Sequence, residues 1–239
     1  MTAHTLPIGI LTGPTATGKS GLALQFARKH PQIELINADS LLVYRGLNIG
    51  AAKPTPTELQ EVPHHLVDIR NPDESFTAGE FLRAAQEAIR SISERGKRPL
   101  IVGGTGFYLQ ALLYGIWEAP SADPRTRTLL EEKSNSILHQ ELLSIDPPSA
   151  LRIGLSDRYR LIRALEIIKL SGQTPTELQA KTPRQADPRF HLWVLDRSNE
   201  ELQERIQHRT RAMLRQNFIA EVQALRDQFP HCRPLQAVG

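Results

Sequence analysis

Gly13-Pro14-Thr15-Ala16-Thr17-Gly18-Lys19-Ser20 is the stretch of this 239-residue chain on which the fold turns. It fits the pattern G-x-x-x-x-G-K-[ST], in which backbone N–H groups surround phosphate oxygens, the lysine adds an ammonium, and the last hydroxyl reaches Mg²⁺ at a helix N-terminus. Such a loop needs a strand before it and a helix after it. Both are predicted: the apolar run Ile8 to Leu11 stops at Gly13, and Gly21-Leu22-Ala23-Leu24-Gln25-Phe26-Ala27-Arg28 reads as a helix that Pro31 ends. The eight residues from Gly13 to Ser20 are therefore candidate ligands of a di- or triphosphate, with Ser20 the candidate ligand of Mg²⁺. The motif goes no further, because kinases, ATPases, GTPases and other transferases all use it.

Working outward, Ile33-Glu34-Leu35-Ile36 reads as a second strand that delivers Asn37, Ala38, Asp39 and Ser40 to its C-terminal end, and residues 65–69 as another short one. Ser75 or Thr77 can cap a helix from Ala78 to about Glu94, with Gly96 as its stop signal. Pro99-Leu100-Ile101-Val102 is a buried strand ending in Gly103-Gly104-Thr105-Gly106, and a helix follows to Tyr114. Strands alternating with helices predict an α/β fold, a parallel sheet flanked by helices on both faces. From Glu118 the pattern changes to helical segments punctuated by Pro120, Pro124, Pro147 and Pro148, until a strand at His191 to Leu195. The expected organisation is a discontinuous core, 1–117 and 188–239, interrupted by a helical insertion at 118–187. Residues 200–216 and 218–229 are expected to return to the core as amphipathic helices.

The composition, 40% hydrophobic and 23% charged, is that of an ordinary globular protein, and no apolar run is long enough to cross a bilayer. The N-terminus lacks the regions of a signal peptide, so a cytoplasmic location is expected. Cys232 stands alone, with no zinc-like cluster around it. A net charge of +3 permits a nucleic-acid partner without establishing one. Between Ala150 and Phe190, however, basic residues outnumber acidic ones two to one.

In an open α/β sheet ligands sit at the carboxyl ends of strands. Asp39 ends the second strand, where a carboxylate could take a proton from a nucleophile, hold a metal through water, or simply serve a turn or helix cap. Thr105 could donate to a phosphate oxygen or belong to a plain strand-to-helix turn. A motor-type NTPase should also carry an apolar strand ending in a metal-holding carboxylate. The strand at Pro99 to Val102 ends in glycine instead. Asp196 fits that template but lies beyond the insertion and precedes Arg197, so it reads as a turn or capping residue. Phosphoryl transfer and a transfer with diphosphate as leaving group both remain open at this point.

Further motifs narrow the choice. The chain resembles the tRNA dimethylallyltransferases, also called tRNA isopentenyltransferases, along nearly its whole length. The resemblance is carried by Gly13 to Ser20, Ala38-Asp39-Ser40 with Val43-Tyr44-Arg45-Gly46 and Ile49-Gly50, Ala52-Lys53-Pro54, Pro63-His64-His65-Leu66-Val67-Asp68 and Val102 to Gly106. Ser121-Ala122-Asp123-Pro124, Tyr159 to Glu166, and Arg205 with Arg209 and Met213 extend it. It implies transfer of a dimethylallyl group from dimethylallyl diphosphate to N6 of the adenosine 3′ of a tRNA anticodon, with the loop holding diphosphate rather than ATP and Mg²⁺ at Ser20. Asp39 would be the base, and Thr105 and Arg209 would serve the leaving group. Arg205 lies four residues before Arg209, on the same helical face. Contacts to tRNA are implied for Asp39, Ser40, Leu41, Leu42, Thr105, Arg127, Tyr159, Arg160, Leu161, Ile162 and Arg163, with a core role for Tyr159 as the alternative. The helical insertion would grip the anticodon stem-loop, and the target base would be flipped out. The family pattern usually continues beyond Gly239 with further helices. A small-molecule or nucleotide kinase, a free-adenylate isopentenyltransferase and a non-enzymatic RNA-binding module are the competing readings, and a monomer is expected.

Overall fold

The computed structural model describes residues 7–117, 119–181 and 185–230. The chain opens with β1 (Ile8–Thr12) and α1 (Lys19–Lys29), then β2 (Ile33–Asn37), α2 (Pro56–Glu61), β3 (His64–His65), α3 (Ala78–Glu94), β4 (Arg98–Val102) and α4 (Gly106–Tyr114). Five helices follow: α5 (Pro124–Glu131), α6 (Asn135–Ile145), α7 (Pro147–Arg152), α8 (Arg158–Ser171) and α9 (Pro175–Ala180). The last described elements are β5 (Phe190–Val194), α10 (Asn199–Arg215) and α11 (Phe218–Gln228). Two compact units result, one running to Tyr114 and resuming at Ala186, the other spanning Gly115–Gln185.

In the first unit the strands form one parallel sheet in the order β3-β2-β4-β1-β5. Alternate residues of a strand point to opposite faces, so neighbouring apolar residues serve two cores. Ile10, Ile36 and Ile101 pack with Phe81, Ala85 and Ile92 of α3 and Leu112 of α4, whereas Leu11, Leu35 and Leu100 pack with Ala23, Leu24 and Ala27 of α1. Continuous apolar strands with helices on each face are what a buried parallel sheet requires. Thr77 caps α3 through a reciprocal capping box with Glu80, and Gly96 turns the chain beyond it at φ 71°.

One element differs from its expected extent and another from its expected burial. The strand expected at 65–69 is reduced to β3, because Leu66 and Asp68 take left-handed φ values of 62° and 55° that end it. Asn37 Nδ2 donates to the Leu66 carbonyl at 3.0 Å, and Lys53 pairs with Asp68, so contacts with other parts of the chain hold both residues there. Of the two helices expected to return to the core, α11 does so through Leu225, but no residue of α10 is buried. Cys232 lies outside the described residues. Among the described residues no helix is long and apolar enough to cross a membrane.

The helical unit has its own core, formed by Leu130, Leu138, Leu142, Ala150, Leu161, Ile162 and Leu165. Glu166 of α8 is fully buried beside it and accepts from Asp123 N–H at 2.8 Å, Arg127 Nε at 3.0 Å and Arg163 NH1 at 2.6 Å. Burial opposes ionisation of Glu166. The bonds from Arg163, the Asp123 amide and Arg127 outweigh it and hold the carboxyl below its ordinary value of 4.5. A depressed folded pKa contributes stability that is complete above the unfolded value and is lost as pH falls through the folded one. Glu166→Ala is therefore expected to destabilise the protein by about 2–3 kcal/mol near neutrality, because two half-buried guanidinium groups lose their partner. The gap between Glu166→Gln and the unmodified chain in thermal unfolding should narrow as pH falls below 4.5. A constant gap across that range would refute the assignment.

Candidate functional site

The phosphate loop lies between β1 and α1, as its sequence requires. Gly18 precedes α1 in a left-handed conformation (φ 94°) and Ala16 also has positive φ (64°). Alternation of this kind turns successive amides toward one concavity, a ready anion site at the start of a helix. Thr17 is buried and its hydroxyl donates to the Pro14 carbonyl at 3.0 Å. Lys19 Nζ donates to the same carbonyl at 3.2 Å, which keeps the ammonium over the loop.

The turn after β4 closes against this loop. Gly103 passes the end of β2 so closely that a Cβ there would stand 2.2 Å from the Ala38 carbonyl carbon and oxygen. A Cβ on Gly104 would lie 3.5 Å from Lys19 Nζ, which places the turn beside the ammonium. Thr105 Oγ1 accepts the Ser40 amide at 2.9 Å, so its own hydrogen remains to be donated. Asp39 is held as a turn residue: its amide donates to Asn37 Oδ1 and its Oδ1 accepts from Leu41 N–H at 2.9 Å. These bonds aim the carboxylate without removing it from the site. Asp39 and Arg209 both act electrostatically on Lys19, so the turn role and a role beside the ammonium coexist.

From the other side α10 supplies cations. Arg209 NH1 reaches Thr15 Oγ1 at 3.5 Å, Arg205 Nε donates to the Ala16 carbonyl at 2.6 Å, and Arg197 Nε, just before the helix, donates to the Thr17 carbonyl at 2.8 Å. A cavity of about 530 Å³ is lined by Gly18, Lys19 and Ser20 of the loop and by Arg205, His208 and Arg209 of α10, among others. A second, of about 190 Å³, shares Ser20, Gly21 and Ala52 with it and is walled by apolar groups including Leu24, Leu35, Leu42 and Val67. Ser40 and Leu41 are half-buried, on the turn that leads from Asp39.

The predicted residues of the helical unit divide. Tyr159 is 60% exposed, not in the core, and the Arg127 guanidinium stands 5.6 Å from its ring centroid. Arg160 is largely exposed and pairs with Asp157 at 3.2 Å. Arg163 is turned onto Glu166 and the Pro120 carbonyl. Leu161 and Ile162, at 0% and 6% exposure, belong to the unit's apolar core, which leaves only their backbone for a contact with RNA. The basic excess noted in the sequence is also partly structural, since Arg158 caps the end of α5 through the Glu131 and Lys133 carbonyls.

Sequence reasoning gave no site role to Arg197, Lys53 or Glu221. Glu221 of α11 accepts the amides of Asn48, Ile49 and Gly50, and no local signal could reveal partners about 170 residues away. Asp196 is exposed at the turn after β5, where its Oδ1 accepts the Arg197 amide.

Burial lowers the pKa of Lys19 from its ordinary 10.5; the Asp39 carboxylate raises it and Arg209 lowers it further. Polyanion binding should thus fade at a lower alkaline pH than an ordinary lysine would give. Titration of inorganic pyrophosphate across that limb should show it displaced upward in Arg209→Gln and downward in Asp39→Asn. Coincident limbs in all three proteins would contradict the arrangement.

Comparison with known proteins follows the same lines. A family model described as IPP transferase matches residues 42–239. The chain is 45% identical over 237 residues to tRNA dimethylallyltransferase 1 of Trichlorobacter lovleyi, covering 96% of this chain and 77% of that protein. It is 44% identical over 225 residues to the tRNA dimethylallyltransferase of Methylococcus capsulatus, covering 92% and 72%. Among solved structures, a eukaryotic dimethylallyltransferase acting on tRNA superposes with a TM-score of 0.82 at 28% identity, over 94% of this chain and 56% of that one. The full-length tRNA isopentenylpyrophosphate transferase of Bacillus halodurans gives 0.63 at 36% identity, over 96% and 73%.

Proposed function

The chain belongs to the IPP transferase family, and from that premise we propose that it transfers a dimethylallyl group from dimethylallyl diphosphate to N6 of the adenosine 3′ of a tRNA anticodon, releasing diphosphate. The observation that carries the chemistry is the placement of Asp39 within electrostatic reach of Lys19, at the mouth of a phosphate loop. A carboxylate beside the ammonium can take a proton from an acceptor amine, and family membership selects that role over holding a metal for a nucleotide.

The exocyclic amine of adenine is a weak nucleophile because its lone pair is delocalised into the ring. Asp39, aimed by the Leu41 amide, takes the N6 proton as nitrogen attacks the allylic carbon. The bond from that carbon to the diphosphate oxygen breaks, and negative charge grows on the leaving group. The loop amides, Lys19, the hydrogen of Thr105 Oγ1 and Arg209 stand where that charge appears. Ser20 presents an exposed hydroxyl at the cavity edge, a hard oxygen donor that fits Mg²⁺, which neutralises diphosphate charge when bound. The smaller cavity adjoining the phosphate site offers an apolar wall of Leu24, Leu35, Leu42 and Val67 to the five-carbon chain, with Asn37, Lys53, Glu58 and His64 also lining it. On the helical unit, the exposed ring of Tyr159 and the guanidinium groups of Arg127 and Arg160 supply stacking and phosphate contacts for tRNA. The family's curated members also support action on RNA rather than on a free nucleotide.

Incubation with labelled dimethylallyl diphosphate and either tRNA or AMP tests the reading: label should enter tRNA. Label only in AMP, or phosphoryl transfer from ATP to an acceptor, would overturn it. Asp39→Ala should slow single-turnover transfer by about 10²–10⁴ while pyrophosphate affinity at neutral pH changes little. Near-normal turnover in that variant would remove Asp39 from the role of base.

A further inference from the structure

Ala16 is the loop residue that takes a left-handed φ, 64°, while carrying a side chain. An L-residue with a Cβ pays a steric penalty there, and alanine has no polar side chain to offset it by a local hydrogen bond. Its carbonyl is the acceptor for Arg205 Nε at 2.6 Å, a charge-assisted bond. One terminal nitrogen of the same guanidinium lies 3.2 Å from where a Cβ on Gly18 would stand, so the fork rests against the next left-handed residue as well. The carbonyl between them, that of Thr17, is held by Arg197 Nε at 2.8 Å, and Arg197 is itself paired with Glu201 of α10. Two consecutive loop carbonyls are thus anchored by cations from one helix and its N-terminal approach.

We propose that Arg205, supported by Arg197, is a positioning residue that holds Ala16 in its left-handed conformation and so pre-forms the amide cradle before any phosphate arrives. The proposal rests on the reading of the loop as a diphosphate site and goes beyond it, because it assigns Arg205 to the loop backbone. Each loop N–H binds an oxygen well only if its peptide plane is already oriented, and a cradle fixed in advance avoids the ordering cost on binding. A direct diphosphate ligand would instead act through its charge and would be indifferent to the residue at position 16.

The atom that makes the bond separates these two roles. In glutamine the amide Nε2 stands the same number of bonds from the backbone as Nε in arginine, so Arg205→Gln keeps a donor for the Ala16 carbonyl and loses the charged fork. Calorimetric titration of the full chain with inorganic pyrophosphate and Mg²⁺ is the measurement. Arg205→Ala is expected to weaken binding about tenfold, and Arg205→Gln to retain most of the affinity. Ala16→Gly alone should change binding little, because Arg205 already holds the loop in its left-handed form. In the Arg205→Ala background the same change should tighten binding several-fold, because the strain that Arg205 offsets is gone. Equal losses in Arg205→Gln and Arg205→Ala, or a weakening by Ala16→Gly in both backgrounds, would overturn the proposal while leaving the diphosphate reading intact. Failure of the unmodified chain to bind pyrophosphate would overturn the diphosphate reading, and the proposal with it.

Discussion

Backbone meets backbone at two places where no Cβ fits. One built on Gly13 would stand 2.1 Å from the Leu195 carbonyl oxygen, and one on Gly103 would stand 2.2 Å from that of Ala38. These close approaches draw the C-terminal ends of β1, β5, β2 and β4 into one patch. Lys19, Asp39 and Thr105 meet there only because the chain segments carrying them can approach so nearly. Neighbouring backbone atoms cannot move aside as a flexible side chain can, which makes the glycines a condition of the site rather than an adornment of it.

Local signals made the frame legible. The phosphate loop with its flanking strand and helix, the α3 capping box from Thr77, and the Gly103 to Gly106 turn each depend on residues a few positions apart. Contacts between distant segments decided the rest. Leu66 and Asp68 cut a predicted strand short because Asn37 and Lys53 claim them. Arg197 meets a backbone carbonyl 180 residues away, and such a partner leaves no trace in the pattern of side chains. In α8 a run of residues taken together from a family pattern is divided by the helical period. Tyr159, Arg160 and Arg163 face outward or toward Glu166, while Leu161, Ile162 and Leu165 enter the core.

The helical unit shows why a basic stretch should not be equated with a binding surface. Arg127 and Arg163 serve a buried carboxylate, and Arg158 closes a helix end. Removing either partner of such a group leaves charge without compensation in a poorly solvated place. The same Arg127 also stands over the exposed Tyr159 ring, so one guanidinium joins the folding of the unit to the surface it presents.

The pairing of β1 with β5 has a consequence for the order of assembly. Residues 8–12 and 190–194 lie side by side in the sheet, yet the whole helical unit is synthesised between them. A growing chain can form α1, pair β2 with β4 and complete the helical core while the flank of β1 still waits for its neighbour. Contacts of such sequence separation close late and slowly. Gly13 has no Leu195 carbonyl to rest against, and the loop no arginines to hold it, until β5 and α10 arrive. The phosphate cradle is therefore encoded ahead of the helical unit and becomes competent only after the segment that follows that unit has joined the sheet.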